Sequence, residues 1–354
     1  MSVDYGHLSS RNRVIKSYGS TTFKKSQRSV VNEKTFYDLA SLTKPLATLP
    51  LMLQLLTSGR LDLDARLDDL LALKVPADKA AIRLRDLLGH SSGFAAWLPF
   101  FRRLASHYPA TEKATKTRVK REVLQQILAE PLVYQPGSRT LYSDPGYILL
   151  GFIIEDIYQQ SLAKLATAKI YHPLGVAAEI FFNSLIRPRP GAYAHGEYCT
   201  WRRRWLCGEV GDENCALLGG AAGHAGLFGT IVGVTTLVEY IHDCWQQCLP
   251  STAPPLFNRR ELLTCLQPRA ESGGGWLLGF DTPAPYGSAA GTLFSAASIG
   301  HLGFAGTSFW IDPQRRLSAV LLSNRVHPSR LNERIRKFRP HFHDMVIKEF
   351  GDLD

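Results

Sequence analysis

"YDLASLTKPLATLPLMLQLLTSGR", residues 37–60, joins a nearly all-apolar stretch to two polar side chains at its start. The run from Leu46 to Leu56 predicts a helix buried on most sides. Ser41 and Lys44 stand three apart, which puts them on one helical face a turn from each other. Pro45 confines them to the first turn, because a proline deeper in a helix costs about 3 kcal/mol. In that turn, unpaired N–H groups and the positive end of the helix dipole favour developing negative charge. A serine there with an amine in reach is a candidate activated nucleophile. Burial among Leu39, Leu42 and the helix would lower the proton affinity of Lys44, as a catalytic base requires. Ser-x-x-Lys is only two fixed letters, however, and it recurs at Ser161-Leu162-Ala163-Lys164.

Working outward, the next discriminating stretch is Tyr142-Ser143-Asp144, the only Tyr-x-Asp/Asn in the chain, and nothing of that form follows Ser161. A phenol beside a Ser–Lys pair could shuttle the proton between nucleophile and leaving group; a turn tyrosine packed under its loop is the plainer alternative. A third element is His301-Leu302-Gly303, within a β-like run. It offers a polar side chain and, at Gly303, a backbone that a substrate can approach closely. His224-Ala225-Gly226 competes for this role, but it opens towards a helix and is expected to form a Gly-rich wall.

Ser-x-x-Lys, Tyr-x-Asp/Asn about a hundred residues later and His-x-Gly on a late strand together resemble the serine β-lactamase and penicillin-binding protein superfamily. Within it the likeness is to the class C-like branch, whose second motif begins with a tyrosine, here Tyr142. "RLRDLLGHSSGF" (83–94), "YQPGSRTLYSDPGYILLG" (134–151) and "GGAAGHAGLFGT" (219–230) are similar to further segments of that family. The resemblance implies an α/β (α+β) fold: an antiparallel sheet formed from both chain ends, flanked by helices, with an inserted all-helical domain. It also implies that Ser41 is acylated, that Lys44 and Tyr142 share the proton traffic, and that His301 stands where a lysine is usual. The oxyanion donors would be the N–H groups of Ser41 and of Phe304, the residue after Gly303.

Three departures bear on specificity. Asp144 adds a carboxylate near Lys44 and should keep that amine protonated longer. His301 carries no charge above a pKa near about 6.5. Leu302 removes a hydroxyl. All three weaken recognition of a carboxylated substrate, so an ester or amide is expected over efficient β-lactam turnover. A D-alanyl-D-alanine carboxypeptidase or D-aminopeptidase is the alternative, and a non-catalytic penicillin-binding sensor a second.

The rest of the chain bounds these readings. Its 354 residues, 45% hydrophobic, can build a full core. Short β-like runs at both termini enclose a helical middle, which suggests a discontinuous α/β domain (1–36 and 242–354) and a mostly helical domain (37–241). The hairpin at 2–20 should turn at Arg11-Asn12-Arg13. A net charge of +10 raises a nucleic-acid partner, yet the basic residues are scattered and interrupted by acids. A small acyl substrate is expected instead, with no nucleic acid and no stable membrane span. Six cysteines without a CxxC pair, and a start without a signal-peptide pattern, point to a reduced, cytoplasmic protein. The chain begins inside the family's first segment, however, and a start lying further upstream could carry an export signal. No HExxH is present, and Asp212-Glu213-Asn214 with His224 is expected to cap a loop rather than hold an ion, so no metal or cofactor is implied. "GHSSG" (89–93) fits a nucleophile elbow with Ser91, but the flanks read helix then loop instead of strand then helix.

Overall fold

A computed structural model of the chain describes residues 1–8, 13–108, 116–185, 187–253, 255–268 and 275–350. The first strand, β1 (Ser2–His7), pairs antiparallel with β2 (Arg13–Ser17), and most of the expected turn lies outside the described residues. Next, β3 (Tyr37–Asp38) leads into a 3-10 turn at Ala40–Leu42 and a π-helical turn at Lys44–Thr48, which continues as α1 (Leu49–Thr57). The helical middle holds α2 (Leu84–Leu88), α3 (Lys116–Ala129), α4 (Asp144–Tyr158) and α5 (Leu162–Ala166). After β4 (Ile180–Phe182) comes a hairpin of β5 (Tyr198–Cys199) and β6 (Arg204–Trp205). Then follow α6 (Glu213–Leu217), β7 (Leu227–Gly229) and α7 (Ile231–Gln246). The tail supplies β8 (Ile299–Leu302), β9 (Ser308–Asp312), β10 (Leu317–Leu322) and α8 (Ile335–Phe350).

The five-stranded antiparallel sheet runs β2-β1-β10-β9-β8, so the chain termini meet at its centre, as the sequence predicted. Every residue of β9 and β10 is buried, which an antiparallel strand shows only when both sheet faces are covered. One cover is α8, whose Phe342, Val346 and Ile347 pack with Tyr5, Trp310 and Leu321. The other is α7, which packs on β1 and β10. The domain limit expected at 241/242 therefore falls inside α7. Along α1, Leu49, Leu51, Leu53 and Leu55 are all buried, each contributing about 1.5–3 kcal/mol.

Two local readings change. "GWLLGFDT" makes bridges, Trp276 to Asp281 and Asp281 to Gly300, rather than a strand. Gly279, at φ +92 against Leu49, turns the chain there. The segment after His224-Ala225-Gly226 first forms β7, paired to β3 and β4, and only then the helix.

Candidate active site

Ser41 sits in a 3-10 turn that opens with a strained residue, Ala40 at φ +48. Asp38 holds that strain in place: its Oδ1 accepts the Ala40 N–H (2.9 Å) and its Oδ2 the Gly211 N–H (2.6 Å). Burial lifts the Asp38 carboxyl to about 6. The Gly211 loop is tied in turn by buried Arg202, which donates to Val210 O (2.8 Å) and Gly211 O (3.1 Å). So part of the basic run at 201–205 serves the interior. Local backbone strain of this kind persists only where neighbours over-determine it, as Asp38 does beside Ser41.

The π-helical turn brings Lys44 under Ser41. Its Nζ is fully buried and donates to Ser41 Oγ (3.3 Å), Asp144 Oδ1 (2.7 Å) and His224 O (3.1 Å). Burial lowers the Lys44 pKa, and the opposing pull of Asp144 does not restore it. Asp144 does raise the proton affinity of this amine, as expected from the sequence, but desolvation outweighs it and the net shift is downward. Lys44 Nζ also lies 4.7 Å from the Tyr142 ring centre. The Tyr142 hydroxyl is buried without a hydrogen-bond partner among the described residues. Burial, then Asp144, pushes its pKa well up, while the nearby Ser41 hydroxyl pulls it down.

The Tyr142 loop is placed by the helix-capping Ser143, whose Oγ accepts from Gly146 N–H. It is also placed by His90, whose Nδ1 accepts the Ser143 N–H at 3.0 Å and whose ring lies 4.5 Å from that of Tyr142. His90 belongs to the "GHSSG" stretch. Ser91 itself is buried after helix α2, with its Oγ on Asp86 (3.1 Å), and does not reach the cleft. The second Ser-x-x-Lys is an N-cap: Ser161 Oγ accepts the Lys164 N–H.

On β8, His301 lines the cleft with Nδ1 3.0 Å from Leu302 O and a buried, unpartnered Nε2. Burial, then Lys44, drives its pKa to about 3, so the ring is neutral at physiological pH. Gly303 starts a tight turn in which Gly306 N–H returns to Gly303 O (3.0 Å). A Cβ at Gly303 would collide with Thr307 Oγ1 and Leu39 O, so only glycine lets β8 approach the turn that carries Ser41. Buried Arg339 of α8 donates to Gly303 O (2.6 Å) and Thr307 O (2.7 Å).

Ser41, Tyr142, Asp144, His301, Gly303 and Phe304 thus line one cleft of about 600 Å³, with Lys44 directly behind Ser41. Sequence reasoning gave too little weight to His224, whose carbonyl holds Lys44 and whose Nε2 faces Asp212 (2.9 Å). Asp212 also caps α6, as expected. Arg339, Trp276 and Asp281 were not singled out, since nothing in their local sequence signals the cleft. Among the described residues the cysteines are free, and no helix is long and apolar enough to cross a membrane.

The buried neutral His301 has a measurable consequence. Unfolded, it binds a proton near pH 6.5; folded, near about 3. Its contribution to stability is therefore complete above about 6.5 and is lost as pH falls towards 3. Asp38 and Asp281, raised to about 6 and about 7, oppose this trend, so the difference between variants is the readout. Denaturant midpoints of the parent relative to His301→Asn should fall between pH 7 and pH 4, and a constant difference would contradict the assignment.

The β-lactamase family profile matches residues 9–339. A protein of Escherichia coli (strain K12), provisionally named a D-alanyl-D-alanine carboxypeptidase, is 33% identical over 317 residues, covering 83% of this chain and 70% of its own. A Salmonella typhi protein with the same provisional name is 31% identical over 346 residues, 90% and 75% of the two chains. Among solved structures, the octameric penicillin-binding protein homologue of Pyrococcus abyssi superposes with TM-score 0.71 at 17% identity, over 99% of this chain and 73% of its own. Simvastatin synthase of Aspergillus terreus gives 0.70 at 18% identity, over 98% and 93%. At such identities these two likenesses concern the fold. By its sequence match over nearly the whole chain, the protein belongs to the β-lactamase family, within the serine β-lactamase and penicillin-binding protein superfamily.

Proposed function

We propose that the protein is a class C-like serine hydrolase that cleaves an ester or amide through an acyl-enzyme on Ser41. The observation that carries this reading is Lys44 Nζ reaching both Ser41 Oγ (3.3 Å) and Asp144 Oδ1 (2.7 Å) beneath a cleft walled by Tyr142. The opposite pKa shifts divide the work. Lys44, with lowered proton affinity, takes the Ser41 proton as Oγ attacks the carbonyl. Tyr142, held neutral, gives its proton to the leaving oxygen or nitrogen and recovers one from Lys44. Water then attacks the acyl carbon by the reverse route, releasing the acid and free Ser41.

The developing oxyanion would take the N–H groups of Ser41 and Phe304. Gly303 O and Phe304 N–H belong to one peptide unit, and the Arg339 guanidinium on that oxygen polarises the N–H at its other end. Neutral His301 leaves a carboxylated substrate without the cation a lysine would present, which favours esters and amides that lack a carboxylate over β-lactams. The provisional name of the curated relatives supports the carboxypeptidase alternative.

Intact-mass labelling with a fluorophosphonate and with penicillin, in the parent and in Ser41→Ala, tests the reading. One fluorophosphonate adduct on the parent and none on the variant is expected, with short-chain aryl esters turned over faster than a chromogenic cephalosporin. Labelling that survives Ser41→Ala would remove Ser41 as nucleophile. A burst without steady-state product would make the protein a sensor.

A further inference from the structure

One cleft carboxylate has no assigned use. Asp281 is fastened to β8 beside His301 by reciprocal backbone bonds with Gly300 (Asp281 N to Gly300 O, 2.8 Å; Gly300 N to Asp281 O, 3.0 Å). Its Oδ1 accepts the Thr282 N–H at 2.9 Å, and its second oxygen takes no hydrogen bond from a described residue. Of the other cleft acids, Asp144 pairs with Lys44, Asp212 with His224, Glu197 and Glu213 with Arg330 and Glu209 with Arg204, while each Asp38 oxygen accepts a backbone N–H. Among the described residues, Asp281 has no ion pair. Burial accordingly lifts its carboxyl to about 7.

Its surroundings are aromatic. The Trp276 ring lies 5.2 Å from that of Tyr142 and 5.5 Å from that of His301. Trp276, Tyr142, His301 and Asp281 line the same cleft as Ser41. His301 Nε2 there is buried and unpartnered, and the His301 side chain is almost wholly buried. A partly dehydrated carboxylate without a counter-charge is costly, and a cation beside aromatic faces gains from their quadrupoles. A ligand cation answers both conditions at once.

We propose that Asp281, walled by Trp276 and Tyr142, is an ammonium-recognising subsite, so that the preferred substrates carry a positively charged nitrogen near the scissile bond. This rests on the serine hydrolase reading only for the word substrate; the cation subsite stands on the cleft geometry. The same carboxylate also disfavours anionic groups at this end of the cleft.

The test separates binding from turnover. Acetylcholine, its neutral isostere 3,3-dimethylbutyl acetate and an isosteric carboxylate are titrated by ligand-observed NMR into Ser41→Ala protein, which removes the proposed nucleophile. The cation should bind about tenfold tighter than the neutral ester. That preference should fall to within about twofold when Asp281→Asn is added, and return in part with Asp281→Glu. Asn keeps the oxygen that accepts from Thr282, so the loop retains its bond. Equal affinities, a preference for the carboxylate, undetectable binding of the cation, or a preference that survives Asp281→Asn would each overturn the subsite. If the cation is preferred while the parent takes no fluorophosphonate label at Ser41, the subsite stands and the hydrolase reading fails.

Discussion

Lys44→Met should lower kcat/KM for an aryl ester by about 10²–10⁴-fold, the usual contribution of a positioned proton acceptor. The methionine fills the buried volume of the lysine stem but cannot take the Ser41 proton. It also leaves Asp144 without its cation, and removing one partner of a buried pair is destabilising. The informative protein is therefore Lys44→Met with Asp144→Asn, where the loss of charge is matched. This double variant should melt close to the parent, because a buried ion pair replaced by uncharged groups is often neutral in stability. Its activity should stay as low as that of the single variant. Recovery of activity in the double variant would mean that Lys44 serves only to neutralise Asp144.

Phe304→Pro carries the second large effect. Phe304 is the second residue of the turn closed by Gly306 N–H and Gly303 O (3.0 Å), the position where proline is favoured. The variant should therefore fold, yet it has no backbone N–H to offer the oxyanion. A loss of about 10²–10³ in kcat is expected, with KM changed far less. Phe304→Ala is the control: it keeps the N–H and removes only an exposed ring that stacks on Arg325. A similar fall in Phe304→Ala would assign the effect to the ring, and full activity in Phe304→Pro would place the oxyanion elsewhere.

Much of this was legible from residue order. The apolar run after Pro45 announced a buried helix, and the β-like runs at both ends announced a shared sheet, since such patterns depend on local periodicity. The preference for Ser41 over Ser161 came from the motifs downstream, and in the structure Ser161 is a helix cap. Other features were not legible. Whether Asp144 or burial governs Lys44 depends on how completely Lys44 is dehydrated, a property of everything packed around it. The grip of His224 O on Lys44 spans 180 residues and uses a backbone atom, which leaves no trace in residue type.

Residue order alone determined the superfamily, the termini-built sheet and the list of groups with chemistry to offer. Those depend on hydrophobic period, proline placement and the joint spacing of three short motifs. Only the tertiary structure decided which groups share a cleft, which are charged within it, and that Arg339 and Asp281 belong to it at all. Proton affinity and hydrogen bonding follow from the surrounding dielectric and from atoms distant in the chain, and packing alone brings those together.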